Sequence, residues 1–368
     1  MIIDVHCHYA FSLMPARVAD RFSFEPGRAD EPSAFDSYVS PRVTRRFTWR
    51  LFKRMMGLDP RLPPGDELDQ QMAQVYERHF LADGPVERIV LLAFDEYHDD
   101  AGRRPGRPSA ADDRGTDIYS SNSLIRDACR RRPERYLFGA SVHPYRERAV
   151  ACVEEVFAHG ACLLKWLPLH QNIDIADRRT LDVMRCCASL GLPVLVHFNS
   201  ELTLTTQHPE YESVTALLDV LRRLRAERAM PLTIVAHAAT PVTPFGDSHS
   251  HRVLIDALMH EFADAPLYAD LSALTSWGKL GFLRELAERQ DVHPKLLFGT
   301  DFPVPMALLR LRRDLGRAYA SIAGEASWIQ RIARIDRHLG FNEIVFHRAA
   351  ELLPNVDFFA KPRAVASA

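Results

Sequence analysis

Short apolar runs recur along the chain and are separated by stretches long enough to form amphipathic helices. Continuous apolar runs, unlike alternating ones, are typical of strands that are buried on both faces of a parallel sheet. Because such runs alternate with helical patterns, the sequence favours an α/β fold, a distorted (β/α)8 TIM barrel, over a smaller open sheet. The runs are Ile2–Val5, Val86–Phe94, Tyr136–Val142, Ala161–Leu167, Pro193–His197, Leu232–His237, Leu267–Leu271 and Lys295–Gly299.

Two segments depart from the simple strand–helix repeat. Residues 9–85 are too long for one βα unit and contain a helical pattern at Asp66–Leu81, so we interpret them as an elaborated first loop plus the first barrel helix, arched over the barrel mouth. Residues 97–117 are rich in Asp, Arg, Gly and Pro, which indicates a mobile loop. After Asp301 the pattern predicts a C-terminal helical segment. No internal repeat or linker divides the chain, so we expect a single domain over residues 1–368.

Composition and charge narrow the class of partner. The formal net charge of -2 argues against a broad nucleic-acid-binding surface, which would be basic. The six cysteines are scattered and follow no metal-type spacing, so we expect reduced, buried thiols in a cytoplasmic protein. No apolar stretch approaches the roughly 18 residues that span a membrane, and Met1–Val5 resembles a buried strand instead of a secretory leader. We therefore expect a small-molecule substrate and neither a nucleic-acid nor a membrane partner. The sequence leaves open whether the protein forms a homo-oligomer.

Two histidines stand at the end of the first predicted strand. His6 and His8 are two residues apart, so their side chains point to the same face, roughly 6.5–7 Å apart along the chain. Two imidazoles on one face can bind one metal ion at about 2.0–2.1 Å each. A single pair of this kind also occurs as hydrogen-bonded histidines without a metal, so the pair alone does not decide between the two.

Later strands also end in histidine, lysine or aspartate residues. Lys165 ends the fourth predicted strand, His197 the fifth, His237 the sixth and Asp301 the eighth. Barrel enzymes keep their catalytic residues at these C-terminal strand ends. Imidazoles with one carboxylate leave a coordination position open for water, from which Asp301 can take a proton as general base. We expect one or two divalent cations, with zinc as first choice and manganese or iron as alternatives.

The strand-end motifs resemble the amidohydrolase superfamily, specifically its amidohydrolase-related (amidohydrolase 2) group, which includes aminocarboxymuconate semialdehyde decarboxylase. The resemblance runs from Met1 to about Leu353 and implies a distorted TIM barrel that holds one or two divalent metals. It implies that His6 and His8 are ligands of the first metal and that Asp301 is a ligand and general base. It also implies that His197 and His237 ligate metal or contact substrate, and that His237 is a catalytic residue, which in one-metal members polarises the substrate or orients the water. The motifs are Asp4–His8, Leu164–Pro168, Val196–His197, Val235–His237 and Gly299–Pro303.

The resemblance gives Lys165 two alternative roles. In two-metal members of the superfamily, a lysine at this position is carboxylated by carbon dioxide and bridges both ions. Otherwise Lys165 is an unmodified cation that pairs with Asp301 or binds a substrate carboxylate, because a buried lysine needs an acidic partner. The first form predicts two metals per chain and the second predicts one.

Further polar residues follow the strands and are candidates for substrate contact; for His143 a structural role is an equal alternative. His143 ends the third strand, and the others lie just past the fourth and fifth strands. Ser272 and Trp277 follow the seventh strand as candidates for the pocket wall. The candidates for substrate contact are His143, His170, Asn199 and Glu201.

Three functions are compatible with this site. The leading hypothesis is a metal-dependent hydrolase that activates water to cleave an amide, ester, lactone or similar bond of a small molecule. The alternative is a non-oxidative metal-dependent decarboxylase, a lyase acting on an aromatic or unsaturated carboxylic acid. A non-catalytic metal-binding scaffold is the least favoured, because Asp301 supplies a candidate base.

Overall fold

The computed structural model describes residues 1–26, 35–108, 114–198, 204–243 and 246–361. Eight parallel strands follow one another in chain order around a barrel. The barrel closes where the eighth strand meets the first, because the Val5 amide donates to the Phe298 carbonyl at 3.2 Å. The predicted TIM barrel is therefore confirmed. The barrel strands are Ile2–His8, Val86–Leu92, Tyr136–Ala140, Ala161–Trp166, Val194–Val196, Thr233–Val235, Leu267–Asp270 and Leu296–Leu297.

The strands are apolar throughout because both of their faces are buried. Ile3 and Val5 of the first strand pack in the barrel interior with residues such as Leu195 and Ile234. The opposite faces pack against the surrounding helices in a second, larger core. A parallel barrel with helices outside leaves no strand face for water, which explains the continuous apolar runs.

Helices alternate with the strands and cover the barrel from outside. Local sequence signals set their ends: the Asp177 side chain accepts from the Arg179 amide at 2.8 Å where one helix begins, and Gly191, with φ of 65°, ends it. The longer helices are Asp66–Phe80, Asn122–Arg131, Ala149–Ala158, Arg178–Leu190, Val214–Ala226, His249–Met259, Leu280–Glu288, Trp328–Leu339 and Glu343–Leu352.

The long segment after the first strand forms a substructure of its own. It contains short helices at Pro41–Thr44 and Phe47–Met55, and then Asp66–Phe80, which confirms the predicted helix to within one residue. A three-stranded antiparallel sheet, which the sequence did not predict, joins this segment to the chain beyond the second strand. Its strands are Leu13–Pro15, Phe35–Val39 and Ile118–Ser120.

Part of the segment predicted to be a mobile loop contacts this substructure. Asp117 accepts from the Ser40 hydroxyl at 2.7 Å and from the Arg42 guanidinium at 2.9 Å. The mobility of residues 97–117 stays a prediction.

No helix of the described ranges is both long and apolar enough to cross a membrane. All six cysteines are buried and unpaired.

Candidate metal centre

His6 lies two residues before the end of the first strand and is fully buried at the C-terminal mouth of the barrel. Its Nδ1 lies 2.9 Å from the Asp270 carboxylate, which has no proton to give, so Nδ1 carries the proton and donates. The Nε2 lone pair then points toward Asp301, whose Oδ1 is 3.5 Å away. A carboxylate behind a histidine in this way is the usual support of a metal-ligating imidazole.

His237 is oriented in a similar way from the sixth strand. Its Nδ1 lies 2.9 Å from the Ser272 carbonyl, so Nδ1 donates and Nε2 keeps its lone pair. That Nε2 lies 3.1 Å from Nδ1 of His197 and 3.6 Å from Oδ2 of Asp301. Burial holds the pKa values of His237 and His197 well below their ordinary range, so both imidazoles are neutral and able to ligate.

The backbone after the sixth strand is strained to place His237. His237, Ala238 and Ala239 have φ of 54°, 48° and 52°, and the left-handed region costs roughly 1–2 kcal/mol per non-glycine residue. The Asp270 carboxylate holds the turn by accepting from the His237 amide at 2.8 Å. Strain of this kind concentrates at functional sites, where the surrounding structure compensates for it.

Asp301 faces these histidines from the end of the eighth strand. It too has a left-handed backbone, with φ of 57°, and its amide donates to the His6 carbonyl at 2.7 Å. Its Oδ1 lies 2.6 Å from Nε2 of His8. Burial alone would raise its pKa, but His6, His8 and Lys165 together hold the pKa of Asp301 below its ordinary value. The carboxylate is therefore ionised at neutral pH.

His8 and Lys165 complete the group. Burial lowers the pKa of His8 to about 4, and its Nδ1 has no hydrogen-bond partner among the described residues. Lys165 is fully buried, and its Nζ lies 3.1 Å from Nε2 of His6. All six residues predicted from the strand ends therefore meet at one end of the barrel.

The donor set fits a cation. The Nε2 lone pairs of His6 and His237 face the ionised Asp301 carboxylate, and acceptors directed at one point repel one another unless a positive charge lies between them. One ligand atom from each of His6, His8 and Asp301 lies within 4.8 Å of the others. His6, His237 and Asp270 form a second such group. Asp270, however, already accepts the His6 proton, so we favour the first group.

A small glycine makes room for this arrangement. A Cβ added to Gly299 would lie 3.2 Å from Cβ of His6 and 3.3 Å from Cβ of Ser272. Contacts that short require a neighbour to move. The glycine in the motif before Asp301 therefore lets the first and seventh strand ends approach the eighth.

A cavity of about 170 Å³ opens above the centre. His8, Lys165, His197, His237 and Asp301 form its polar floor. Its walls are apolar and come largely from the segment after the first strand. The wall residues are Ala10, Val39, Val43, Trp49, Phe52, Met72, Tyr76, Phe94, Ile118, Leu167, Leu204, Pro303, Val304 and Pro305.

A barrel with histidines, a lysine and an aspartate at its strand ends can be compared with known proteins. A family model described as Amidohydrolase matches residues 3–315. The chain belongs to the amidohydrolase family. This family consists of enzymes that act on small molecules and usually bind a divalent metal ion. No curated protein is similar enough in sequence to count as a relative.

One solved structure shares the fold of this amidohydrolase at low identity, and two others are similar to it more weakly. An uncharacterised TIM-barrel protein from Bordetella bronchiseptica is 15% identical, with a TM-score of 0.51 over 95% of this chain and 99% of that chain. A probable 2-pyrone-4,6-dicarboxylic acid hydrolase from Acinetobacter baumannii is 12% identical, with a TM-score of 0.45 over 93% and 96%. The 2,6-dihydroxybenzoate decarboxylase from Rhizobium is 12% identical, with a TM-score of 0.47 over 96% and 99%. Such likeness concerns the fold alone.

His143 and His170, two of the candidates for substrate contact in this amidohydrolase, differ from each other in their hydrogen-bond partners. His143 does not line the cavity, because its Nε2 lies 2.6 Å from the Gln171 carbonyl and its Nδ1 accepts from the Tyr145 amide at 3.0 Å. His170 places Nδ1 3.0 Å from the Thr205 carbonyl, whereas its buried Nε2 has no hydrogen-bond partner among the described residues.

The remaining candidates lie away from the cavity or cannot be placed. Asn199 and Glu201 lie outside the described residues. Trp277 is 55% exposed and does not line the cavity. Ser272 is buried behind the histidines instead of in the wall, with Oγ 2.9 Å from Nδ1 of His6 and 2.8 Å from Nδ1 of His237.

Sequence reasoning missed Asp270. A carboxylate at the end of a buried apolar strand, Leu267–Asp270, was an available signal, because a buried acid needs a donor. Ser272 donates to this carboxylate, which also accepts from His6 and from the His237 amide. Burial alone would raise the pKa of Asp270. These donors, of which His6 has the largest effect, instead hold this pKa below its ordinary value.

Proposed function

We propose that this amidohydrolase is a metal-dependent hydrolase that cleaves an ester, lactone, amide or similar bond of a small molecule. The observation that carries the proposal is the convergence of imidazole lone pairs and an ionised carboxylate on the floor of a cavity of small-molecule size. Membership of the amidohydrolase family supports a metal-dependent enzyme.

In this proposal His6, His8 and Asp301 hold a divalent cation, and Lys165, His197 and His237 complete the ligand set. A bound cation of this kind polarises the scissile carbonyl and lowers the pKa of water. Imidazole with carboxylate suits zinc, which remains our first choice over manganese or iron.

Asp301 serves as the general base. Its carboxylate is ionised, and because His8 engages Oδ1, its Oδ2 is the better placed oxygen to take a proton from water. The same carboxyl group then returns the proton to the leaving group. His237 is neutral and its Nδ1–H is already donated to Ser272, which supports a ligand role over that of a proton donor.

Lys165 decides how many cations the site holds. Its Nζ lies 3.1 Å from Nε2 of His6, where an ammonium would hold the lone pair that a cation needs. This distance is that of a hydrogen bond from an unmodified ammonium, so the proposed hydrolase requires that Lys165 be carboxylated, as an anion able to bridge two ions, before His6 can ligate.

A decarboxylase is the second candidate, and the position of Lys165 favours it. If Lys165 stays an ammonium, it offers the cavity floor a positive charge that can hold the carboxylate of an aromatic or unsaturated acid under apolar walls. One metal per chain with unmodified Lys165 supports this reading. Two metals with carboxylated Lys165 support the hydrolase.

The test begins with metal content per chain, measured by elemental analysis on protein purified without added metal. The protein is then assayed against matched panels of esters, lactones, amides and aromatic acids, with and without a chelator. We expect Asp301→Asn to lower kcat by about 10²–10⁴-fold without loss of the fold. Asp314→Asn, which alters an ion pair with Arg284, is the matched control. Hydrolysis that survives Asp301→Ala unchanged would contradict the role of Asp301 as general base. Carbon dioxide release without hydrolysis would support the decarboxylase instead.

A further inference from the structure

The cavity of the candidate site is polar only at its floor. We infer that the substrate is a compact aromatic or alicyclic compound with an uncharged body, whose one polar function is the bond placed at the floor. The inference rests on the proposed function and names the substrate class for the same site. It follows from the wall chemistry, the placement of cations and the size of the cavity.

The wall is aromatic where the segment after the first strand covers the cavity. Trp49 and Phe52 belong to the helix Phe47–Met55, and their rings stack with centroids 5.2 Å apart. Tyr76 adds a ring whose hydroxyl is already engaged, because it donates to the Ala10 carbonyl at 2.6 Å. Phe52 and Tyr76 therefore offer ring surface to a ligand and no free hydrogen-bonding group, and Trp49 adds its indole ring, which suits an apolar ring.

Among the described residues, the cations that line the cavity are confined to its floor. Among the described residues that line the cavity, Lys165 is the one lysine or arginine, and its Nζ lies next to His6. Arg46, which precedes the helix Phe47–Met55, donates to the Leu204 carbonyl and the Thr205 hydroxyl and does not line the cavity.

A negative charge on the far end of a ligand would therefore lose its hydration without gaining a cationic partner. Burying an unpaired carboxylate is strongly unfavourable, whereas burying a ring is favourable. The cavity volume of about 170 Å³ is close to that of a protein cavity of about 150 Å³ that holds benzene, so one ring with a short substituent fits. The same features disfavour polyanionic substrates and fused multi-ring compounds.

The experiment compares two ligands that cannot be hydrolysed and differ only at the far end. Acetophenone carries a carbonyl for the floor, and 4-acetylbenzoate adds a carboxylate opposite it. Dissociation constants are measured by NMR titration of the full chain, with and without metal. We expect acetophenone to bind at least about tenfold more tightly. Equal binding, or tighter binding of 4-acetylbenzoate, would overturn the inference.

Variants of the wall give an independent test. Trp49→Ala should weaken acetophenone binding about fivefold or more, whereas Trp277→Ala, at an exposed site, should not. Phe52→Arg introduces a cation into a partly exposed wall position and should reverse the preference toward 4-acetylbenzoate. If Trp49→Ala does not fold, Phe52→Arg and the wild-type ligand pair still decide.

Turnover separates this inference from the proposed function. Phenyl acetate and 4-acetoxybenzoate form the corresponding ester pair. Preferential binding of acetophenone without hydrolysis of either ester would contradict an ester hydrolase and support the substrate-site chemistry. Hydrolysis that prefers 4-acetoxybenzoate would support the hydrolase and overturn the inference.

Discussion

Asp270 and Ser272 lie behind the candidate metal centre and contact its histidines. Both are fully buried, and Ser272 Oγ reaches the Nδ1 atoms of His6 and His237 at 2.9 Å and 2.8 Å. Because a fixed acceptor at Nδ1 keeps the lone pair on Nε2, these two residues set the tautomer of two candidate ligands at once.

We predict that Ser272→Ala weakens metal affinity about 10–100-fold while the fold is retained. The variant removes a hydroxyl that contacts both imidazoles, so their orientation becomes less defined. A competition titration with a zinc-binding dye measures the change. Ser276→Ala, four residues further along the same loop, is the control; equal affinities for the two variants would show that Ser272 does not position the ligands.

Asp336 is a buried acid without a partner. It lies on the helix Trp328–Leu339, is 1% exposed, and neither carboxylate oxygen has a hydrogen bond among the described residues. Burial, with a smaller effect from Asp4, raises the pKa of Asp336 well above its ordinary value. At a pH between the unfolded and the folded pKa of Asp336, the folded protein therefore keeps a proton on this carboxyl group that the unfolded chain releases.

This shift predicts a pH dependence of stability. Because the folded-state pKa is raised, the folded state binds more protons than the unfolded state once the pH exceeds about 3.9, so Asp336 costs more free energy as the pH rises toward its folded pKa. Asp336→Asn should raise the free energy of unfolding at pH 7 and flatten this dependence. Urea unfolding between pH 5 and 8 measures both effects. Asp219→Asn, in an exposed ion pair, is the control, and a less stable Asp336→Asn protein at pH 7 would contradict the prediction.

At the scale of elements, the helix Asp66–Phe80 ties the segment after the first strand to the cavity. Its Asp69 accepts from the Ser12 amide and hydroxyl, each at 2.6 Å, and from the Leu13 amide at 3.2 Å. The same helix supplies Met72 and Tyr76 to the cavity wall. One buried carboxylate therefore fixes both the start of the segment and the wall.

We expect Asp69→Ala to lower the free energy of unfolding by about 1–3 kcal/mol, because buried donors lose their acceptor. It should raise KM more than it lowers kcat, since the wall shifts and the metal ligands do not. Thermal denaturation, steady-state kinetics and metal analysis check these outcomes. Asp66→Ala removes an exposed ion pair from the same helix and should change stability and KM little. Reduced metal content in Asp69→Ala would contradict the expectation that this residue affects the cavity wall and not the candidate metal centre.

Elements with both faces buried were predictable from sequence, because continuous apolar runs such as Val86–Phe94 directly express that burial. The small sheet of Leu13–Pro15, Phe35–Val39 and Ile118–Ser120 was not. Its strands are short, and their pairing joins parts of the chain far apart in sequence, so no local pattern reports it.

The candidate centre was predictable only in part. His6 and Asp301 could be inferred because strand ends of a parallel barrel converge. The role of Ser272 could not, since it depends on which nitrogen of each histidine the hydroxyl meets. Nor could the cavity wall, because Trp49 and Phe52 reach it through a segment whose path the sequence does not specify.

At the scale of the whole molecule, the barrel core does not depend on the centre. Residues such as Ile3, Val90 and Leu195 fill the barrel interior below the site, and a larger apolar core surrounds the strands. A protein built on apolar burial of this extent keeps its fold without an ion.

Chelation should therefore abolish activity and leave far-UV and near-UV circular dichroism nearly unchanged. The melting temperature should fall, because a ligand present at about 1,000 times its Kd stabilises the folded state by about 4 kcal/mol. Adding zinc back should restore activity and melting temperature together. Outright unfolding on chelation would instead mean that the ion is structural.

The origin of the cavity wall has a consequence for how this protein can diversify. The floor is assembled from residues spread over nearly the whole barrel, whereas Ala10, Val39, Val43, Trp49, Phe52, Met72 and Tyr76 all come from one contiguous stretch, residues 9–85. Recombination that exchanges this stretch alone would replace half of the wall and leave every strand-end residue after it untouched. New substrate preferences can thus arise by exchange of this one segment, while the candidate site residues at the strand ends stay in place.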